Sequence, residues 1–279
     1  MKDGFLLIDK PAGFTSFDVI ARLRRLLNTR KIGHGGTLDP NVTGVLLILV
    51  GRATRAVDLI QRQDKAYEAC IRLGVETDTQ DATGEVVAER PVCVDEAQLR
   101  AAAAGFVGDI LQIPPMYSAL KRGGERLYKL ARRGETLEVE SRACRVDGIE
   151  LLEQTGENRY RLRIDCGKGV YIRTLCHDIG RALGCGAHMA SLQRVRAGIF
   201  DIAAALTPEQ IDAAAQRGTL AEQLVPMDAP LTHLPAVRLS AQARRAVLNG
   251  NVLKPQWMLE PAPAADSVRI YLEGRFAGI

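Results

Sequence analysis

The chain of 279 residues lacks most of the signatures that mark cofactor-dependent or secreted proteins. No GxGxxG leads from an apolar strand into a helix and no GxxxxGK[ST] loop is present, so the dinucleotide and P-loop classes are excluded. No GxSxG elbow is present either, which removes the α/β-hydrolase route to a serine nucleophile. The six cysteines, Cys70, Cys93, Cys144, Cys166, Cys176 and Cys185, form no CxxC pair. Reduced thiols in a cytoplasmic protein are the expectation. Cys176, His177, Cys185 and His188 lie close in sequence, but their spacing fits no common zinc pattern, and packing is the commoner fate of such residues. TDTQDATGE (77–85) lacks the order of an EF-hand ligand set and reads as a turn carrying Asp78 and Asp81. The longest apolar run, VLLILV (45–50), is too short to span a bilayer. MKDGFLLIDKP reaches Asp9 and Lys10 after four apolar residues, unlike a signal peptide, so no membrane association is expected.

What is present is an ordinary globular composition, 47% hydrophobic and 25% charged, long enough for one large domain or one domain with a small appendage. FLLID (5–9) and VLLILV read as buried strands. In YEACIRLGV (67–75), Tyr67, Ala69, Ile71 and Leu73 alternate as on a half-buried strand, and RYRLRIDC (159–166) repeats the pattern. Helices are predicted at 17–28, at 95–106 with Asp95 and Gln98 spaced as a capping box, and at 170–184 with Ile172, Leu175, Ile179 and Leu183 on one stripe. Strands and helices mix without a strict βαβ rhythm, which predicts an α+β fold with a mixed, largely antiparallel sheet. LSAQARRAVLNG (239–250) reads as a short helix, and SVRIYLEGRFAGI (267–279) as a hairpin around Glu273 and Gly274.

Net charge is +4, a weak lean toward an anionic partner, and its distribution says more. Arg22, Arg24, Arg25, Arg30 and Lys31 form one basic run, with no acidic residue between Asp18 and Gly33. In SALKRGGERLYKLARRG (118–134), Lys121, Arg122, Arg126, Lys129, Arg132 and Arg133 meet only Glu125. Such runs are usually solvated helix faces; beside glycine turns they also suit a surface that tracks phosphates.

IGHGGTLDP (32–40) is the stretch with most chemistry in it. Its glycines allow a shaped loop, and Pro40 keeps Asp39 out of the helical region. One reading is a turn in which Asp39 hydrogen-bonds its own backbone. Another joins Asp39 to Tyr67, Tyr171 and Arg173, because a nucleophilic carboxylate needs a cation to hold and aim it and an aromatic can stack on an unstacked base. Tyr171 and Arg173 are expected one turn into a helix, and spacing alone leaves their convergence open.

GHGGTLDP followed by TGVL (43–46) resembles the catalytic motif of the TruB family of pseudouridine synthases, which act on uridine 55 of tRNA. LLIDKPAGFTSFDV (6–19), KAYEACIRLGVETDTQDATGE (65–85), IPPMYSALKRGGERLYKLARRG (113–134) and CGKGVYIRTLCHDIGRALGCGAH (166–188) resemble further family segments, in the family's order. The resemblance implies the pseudouridine synthase fold with a central RNA-binding cleft, and isomerisation of uridine in the T stem-loop of tRNA by a monomer without cofactor or metal. It implies Asp39 as the catalytic carboxylate, Tyr67 stacked on the uracil, Arg173 paired with Asp39, and Tyr171 beside them. His34 is implied as filling space left by flipped nucleotides and Leu192 as lining the pocket. Lys10 and the cations Lys121, Arg122, Arg126, Lys129, Arg132 and Arg133 are expected on the RNA. The implied organisation is a catalytic domain, 1–235, with an RNA-binding insertion at about 113–143, and a reduced PUA-like tail, 236–279. Asn41, Val42 and Thr43 look more like RNA-guided relatives, whereas the 77–85 turn and the insertion match the stand-alone tRNA enzymes. An RNA-guided subunit and a non-catalytic RNA-binding or RNA-folding protein are the competing readings.

Overall fold

The computed structural model describes residues 3–118, 120–135 and 137–279. Within 121–132, the side chains of Lys121, Arg122, Arg126, Tyr128, Lys129 and Arg132 lie outside the description. In chain order the strands are β1 (Gly4–Lys10), β2 (Ile32–His34), β3 (Thr43–Val50), β4 (Lys65–Leu73), β5 (Val75–Thr77), β6 (Val86–Glu89), β7 (Gly108–Gln112), β8 (Lys121–Arg122) and β9 (Glu125–Arg126). They continue with β10 (Arg142–Gly156), β11 (Arg159–Cys166), β12 (Ala187–Ala197), β13 (Phe200–Asp201), β14 (Ala236–Leu239), β15 (Arg269–Leu272) and β16 (Arg275–Gly278). The α-helices are α1 (Ser16–Leu26), α2 (Val57–Gln61), α3 (Glu96–Ala104), α4 (Leu127–Arg132), α5 (Ile172–Ala182), α6 (Pro208–Gln216) and α7 (Arg244–Leu248).

A nine-stranded sheet runs β1-β3-β12-β4-β11-β10-β7, with β2 also on β3 and β13 on β12. Every pairing in it is antiparallel except β12 with β3, which meet in parallel only at Gln193–Thr43 and Arg194–Gly44. β1 and β3 carry unbroken apolar runs, Phe5–Ile8 and Val45–Val50, because both their faces are covered. Leu6, Ile8, Leu46, Ile48 and Val50 enter the main core with α1, α5 and α6, while Phe5, Leu7, Leu47 and Leu49 pack with Ala53, Ile60 and Phe200 on the opposite face. β4 and β11 alternate because only one of their faces is buried. Tyr67, Ala69, Ile71 and Leu73 lie in the core beside Tyr160, Leu162, Ile164 and Cys166. The other face carries ion pairs such as Arg161 with Glu68 and Arg196 with Asp165.

Helix starts follow local chemistry. Thr15 caps α1 in a reciprocal box with Asp18, and Asp95 with Gln98 does the same for α3. α5 differs: its N-cap, Tyr171, supplies no side-chain cap, and its first turn holds Arg173. The helix begins two residues later than 170, so Tyr171 and Arg173 stand at its start rather than one turn in. β14, β15 and β16 form a separate three-stranded sheet over Val237, Leu239 and Ala243, with Glu273 and Gly274 at positive φ in the tight turn between β15 and β16. Tyr271 Oη donates to Asp228 Oδ2 at 2.5 Å and Arg269 Nε to the Leu234 carbonyl at 2.8 Å, tying this small sheet to the body. No helix among the described residues is long and apolar enough to cross a membrane.

Candidate active site

The loop after β2 is pinned from the N-terminal segment. Ser16 is buried and exchanges two hydrogen bonds with Leu38, its Oγ accepting from the amide at 3.0 Å and donating to the carbonyl at 3.1 Å. Lys10 has no exposed surface, and its Nζ donates to the carbonyls of Pro11 (2.9 Å), Phe14 (2.7 Å) and Pro40 (3.0 Å). Two glycines are required by close approach. A Cβ at Gly35 would lie 2.6 Å from Ile60, and one at Gly44, where φ is +99°, would lie 2.2 Å from the Arg194 carbonyl oxygen. A turn does form, because the Val42 amide donates to the Asp39 carbonyl at 3.1 Å. The Asp39 side chain takes no part in it.

Instead, the Asp39 carboxylate pairs with Arg173 at 3.1 Å, the carboxylate 48% exposed and the guanidinium 7%. Arg173 has two further partners. Its Nη1 reaches Asp81 Oδ2 at 3.3 Å, and its Nη2 donates to the Tyr117 carbonyl at 2.7 Å. Asp81 is itself fixed, since its Oδ1 accepts from Thr79 Oγ1 (2.8 Å), the Thr83 amide (2.9 Å) and Thr83 Oγ1 (2.5 Å). The turn holding it is docked on β12 through Met189, which donates to the Gln80 carbonyl and accepts from the Ala82 amide. A buried cation is thus gripped from behind and offers its remaining edge to a carboxylate facing solvent.

These groups open on a cavity of about 600 Å³, within the range of small-molecule sites. Its lining includes Asp39, Tyr67, Tyr171, Arg173, Leu192 and Arg194. Tyr67 and Arg194 are cross-strand partners on β4 and β12. Burial raises the Tyr67 phenol, while the adjacent Arg194 guanidinium pulls the other way. Arg194 is buried, donating from Nε to Val45 O at 2.7 Å and from Nη2 to Gly36 O at 3.2 Å. Lys65 reaches the same cavity from the start of β4, its ammonium donating to Gln61 O (3.1 Å) and Gln63 O (2.5 Å). Burial lowers Lys65 to about 8, with Arg194 adding repulsion. His34 lies on β2, outside the cavity lining; burial lowers its imidazole and its Nδ1 has no partner among the described residues.

The cations expected on RNA divide. Lys10 corrects the expectation of a surface contact: its buried ammonium braces the loop, and burial lowers it to about 8 against the raising effect of Asp39. Arg22, in the first basic run, pairs with Asp212 across to α6. Arg133 is taken up by Glu125 (2.7 Å) and Glu135 (2.6 Å), which raise its already high pKa. Lys121 and Arg122 form β8, Arg126 ends β9, and Lys129 and Arg132 lie on α4; their side chains are outside the description. Arg142 and Lys168, not singled out by the sequence, are exposed and line the cavity.

Asp81, Arg194, Lys65 and Gln112 are further members of this site that sequence reasoning missed. Arg194 had a signal, a charged residue at an inward position two after Leu192 on an alternating strand. Asp81 had none beyond its turn, since its pairing spans 92 residues. Among the described residues no group of three or more His, Cys, Asp or Glu is placed to hold a metal.

Comparison with known proteins follows the same outline. A family model described as TruB family pseudouridylate synthase (N terminal domain) matches residues 24–172, and one described as tRNA pseudouridylate synthase B C-terminal domain matches 173–232. The junction falls between Ile172 and Arg173, so the cavity draws on both matches. tRNA pseudouridine synthase B of Aromatoleum aromaticum is 46% identical over 277 residues, covering 99% of this chain and 88% of that protein. The protein of the same name from Ralstonia pickettii is 48% identical over 273 residues, covering 96% and 84%. A chain in the crystal structure of a Cbf5-Nop10-Gar1 complex has a TM-score of 0.75 at 32% identity, covering 97% of this chain and 75% of that one. A chain of an H/ACA RNP bound to a substrate RNA containing 2′-deoxyuridine has a TM-score of 0.73 at 29% identity, with the same coverage. With matched family models spanning most of its length and relatives this similar end to end, the chain belongs to the TruB family of pseudouridylate synthases.

Proposed function

We propose that the chain isomerises uridine to pseudouridine at position 55, in the T loop of tRNA, with Asp39 as the catalytic carboxylate. The observation that carries this reading is the pairing of a solvent-facing Asp39 with a buried Arg173 at the mouth of a cavity walled by Tyr67 and Leu192. Relatives with 46% and 48% identity are named for tRNA, which favours tRNA as the substrate.

The reaction breaks the bond from ribose C1′ to N1, turns the uracil, and joins C1′ to C5; the C5 proton leaves and N1 gains one. A carboxylate supports this by adding to the base or the sugar, or by taking a sugar proton. Asp39 does so held by Arg173, whose guanidinium orients the carboxylate before it adds or takes a proton. Flipping the uridine from its stack costs a few kcal/mol, offset by stacking on Tyr67, contact with Leu192 and the apolar part of Tyr171. His34, the last residue of β2 before the loop, meets nucleotides displaced around the target. Phosphates of the T arm lie along the 118–134 segment and the exposed Arg142 and Lys168. The catalytic unit is residues 1–235 with the insertion at about 113–143, and 236–279 is a reduced PUA-like appendage. The enzyme works as a cytoplasmic monomer and needs neither cofactor nor metal.

The test is tritium release from a tRNA transcript labelled at C5 of uridine, with the purified chain alone and with Asp39→Asn. Release by the wild type only, mapped to position 55, is expected. A folded, RNA-binding wild type that releases none would overturn the reading in favour of a guided or non-catalytic role.

A further inference from the structure

We propose that Gln112 is a positioning residue for this isomerisation: its side-chain amide clasps the backbone of Tyr171 and so fixes the first turn of α5, and with it Arg173, against Asp39. The inference rests on the function proposed above and adds to it a residue that touches none of the reacting atoms.

Gln112 ends β7, where it pairs with Arg142 of β10, and it is buried. Its Nε2 donates to the Tyr171 carbonyl at 3.3 Å, and its Oε1 accepts from the Tyr171 amide at 3.0 Å. Cys144 Sγ donates to the same Oε1 at 3.5 Å. The primary amide thus meets both polar groups of one residue, in the way a neighbouring strand would. That residue is the N-cap of a helix that has no side-chain cap of its own. The Tyr171 carbonyl also accepts the Leu175 amide at 3.0 Å, the first turn of the helix. The clasp therefore holds the point from which α5 starts.

Arg173 follows two residues later, and its far end is held by the same segment. Five residues after Gln112, the Tyr117 carbonyl accepts from Arg173 Nη2 at 2.7 Å. One stretch of chain, leaving the sheet at β7, grips the arginine by its backbone origin through Gln112 and by its guanidinium through Tyr117. Asp81 supplies a third hold, but from the other side and only on Nη1. If Gln112 is lost, the start of α5 is free to shift while the guanidinium keeps two anchors. The expected consequence is misalignment at Asp39 rather than loss of the pair.

The experiment uses the full chain with Gln112→Leu, which keeps the bulk and removes both hydrogen bonds, and Gln112→Glu. Amide hydrogen exchange at Tyr171 should rise at least about tenfold in Gln112→Leu, while amides in the middle of β3 report unchanged global stability. Single-turnover tritium release should fall by up to about 100-fold, with affinity for a T-arm RNA within about threefold of wild type. Gln112→Glu supplies the second reading if Gln112→Leu does not fold. A protonated carboxyl both donates and accepts as the amide does, so the rate of Gln112→Glu relative to wild type should rise as pH is lowered from about 8 to about 5.5. Unchanged exchange at Tyr171, a rate loss that only follows weakened RNA binding or unfolding, or a relative rate for Gln112→Glu that is flat with pH would overturn the proposal. An inactive wild type would instead reject the function proposed above, and an active wild type matched by Gln112→Leu would reject this inference alone.

Discussion

Asp81→Asn is the perturbation that most directly tests the arrangement around Arg173. It removes one formal charge from behind the guanidinium, yet keeps an oxygen for the Thr79 and Thr83 donors that shape the turn. At 3.3 Å the direct attraction between Arg173 and Asp81 is about 5 kcal/mol with an effective dielectric of about 20, and desolvation offsets most of it. Removing one member of a fully buried pair costs about 3–5 kcal/mol. Here Arg173 keeps Asp39 and the Tyr117 carbonyl, so a loss of about 2 kcal/mol is the better figure. Expressed entirely as misplacement of the arginine in the transition state, that is about 30-fold in rate. Expressed as stability, it lowers Tm by about 4–8 °C.

Single-turnover tritium release at saturating enzyme, paired with filter binding and thermal unfolding, separates the two. The expected result is a rate lowered about 10- to 50-fold, with RNA affinity within about threefold. Thr83→Val is the control, because it weakens the turn around Asp81 while leaving the charge pair; it should lower Tm without the rate loss. A rate for Asp81→Asn within about threefold of wild type, together with a lower Tm, would refute the reasoning and reduce Asp81 to a turn anchor.

Lys10→Met strands three carbonyls and should destabilise the chain by about 2–3 kcal/mol, while leaving the slope of log Kd against log salt unchanged. Lys168→Ala should lower that slope by close to one; a lowered slope for Lys10→Met would restore Lys10 to the RNA surface. Lys10 also gives a pH test. Its folded value of about 8 lies below its ordinary 10.5, so the unfolded chain binds more protons between them. The stability of wild type relative to Lys10→Met should therefore rise with pH across that window, by at most about 1.4 kcal/mol per pH unit, and a falling difference in denaturant titrations would contradict it. Gly44→Ala puts a methyl group against the Arg194 backbone at a positive φ, and its purified protein should show a Tm lower by about 10 °C or more. Tyr271→Phe removes the tie to Asp228; exchange of β15 and β16 amides should quicken while that of β3 does not.

Much of the sheet was legible because its signals are local. Alternation in β4 and β11 follows from having one buried face, and the unbroken apolar runs of β1 and β3 follow from having two. The capping box at Asp95 and the tight turn at Glu273 and Gly274 are likewise set by residues next to one another. The convergence of Asp39, Tyr67, Leu192 and Arg173 was legible only through resemblance, because each comes from a different element and no spacing links them. Asp81 was read as a turn, which it is. Its second oxygen, turned toward Arg173, depends on how the turn docks on β12, and no local pattern records that. The place of Lys10 is hidden from the sequence for a related reason. Resemblance puts it on the RNA, whereas in the fold it closes the end of a strand buried on both faces, and two of the carbonyls it meets belong to loops brought in at Phe14 and Pro40.

The burial of Lys10 bears on how the carboxylate is aimed. Among the described residues, the one direct ion-pair or hydrogen-bond partner of the Asp39 side chain is Arg173. The loop fixes where Asp39 begins, through Ser16 on Leu38 and Lys10 on Pro40, but it leaves the carboxylate free to rotate. Its direction is settled by a guanidinium that the 77–85 turn, the segment after β7 and the start of α5 hold together. A half-exposed carboxylate on a glycine loop would by itself sample several rotamers, at little cost. Buried behind it, an arginine with three anchors samples few. The precision of the site therefore resides in the sheet and α5, and the loop needs only to bring the carboxylate within reach. Substitutions in the loop's supports should then act mainly on stability, and substitutions around Arg173 mainly on rate.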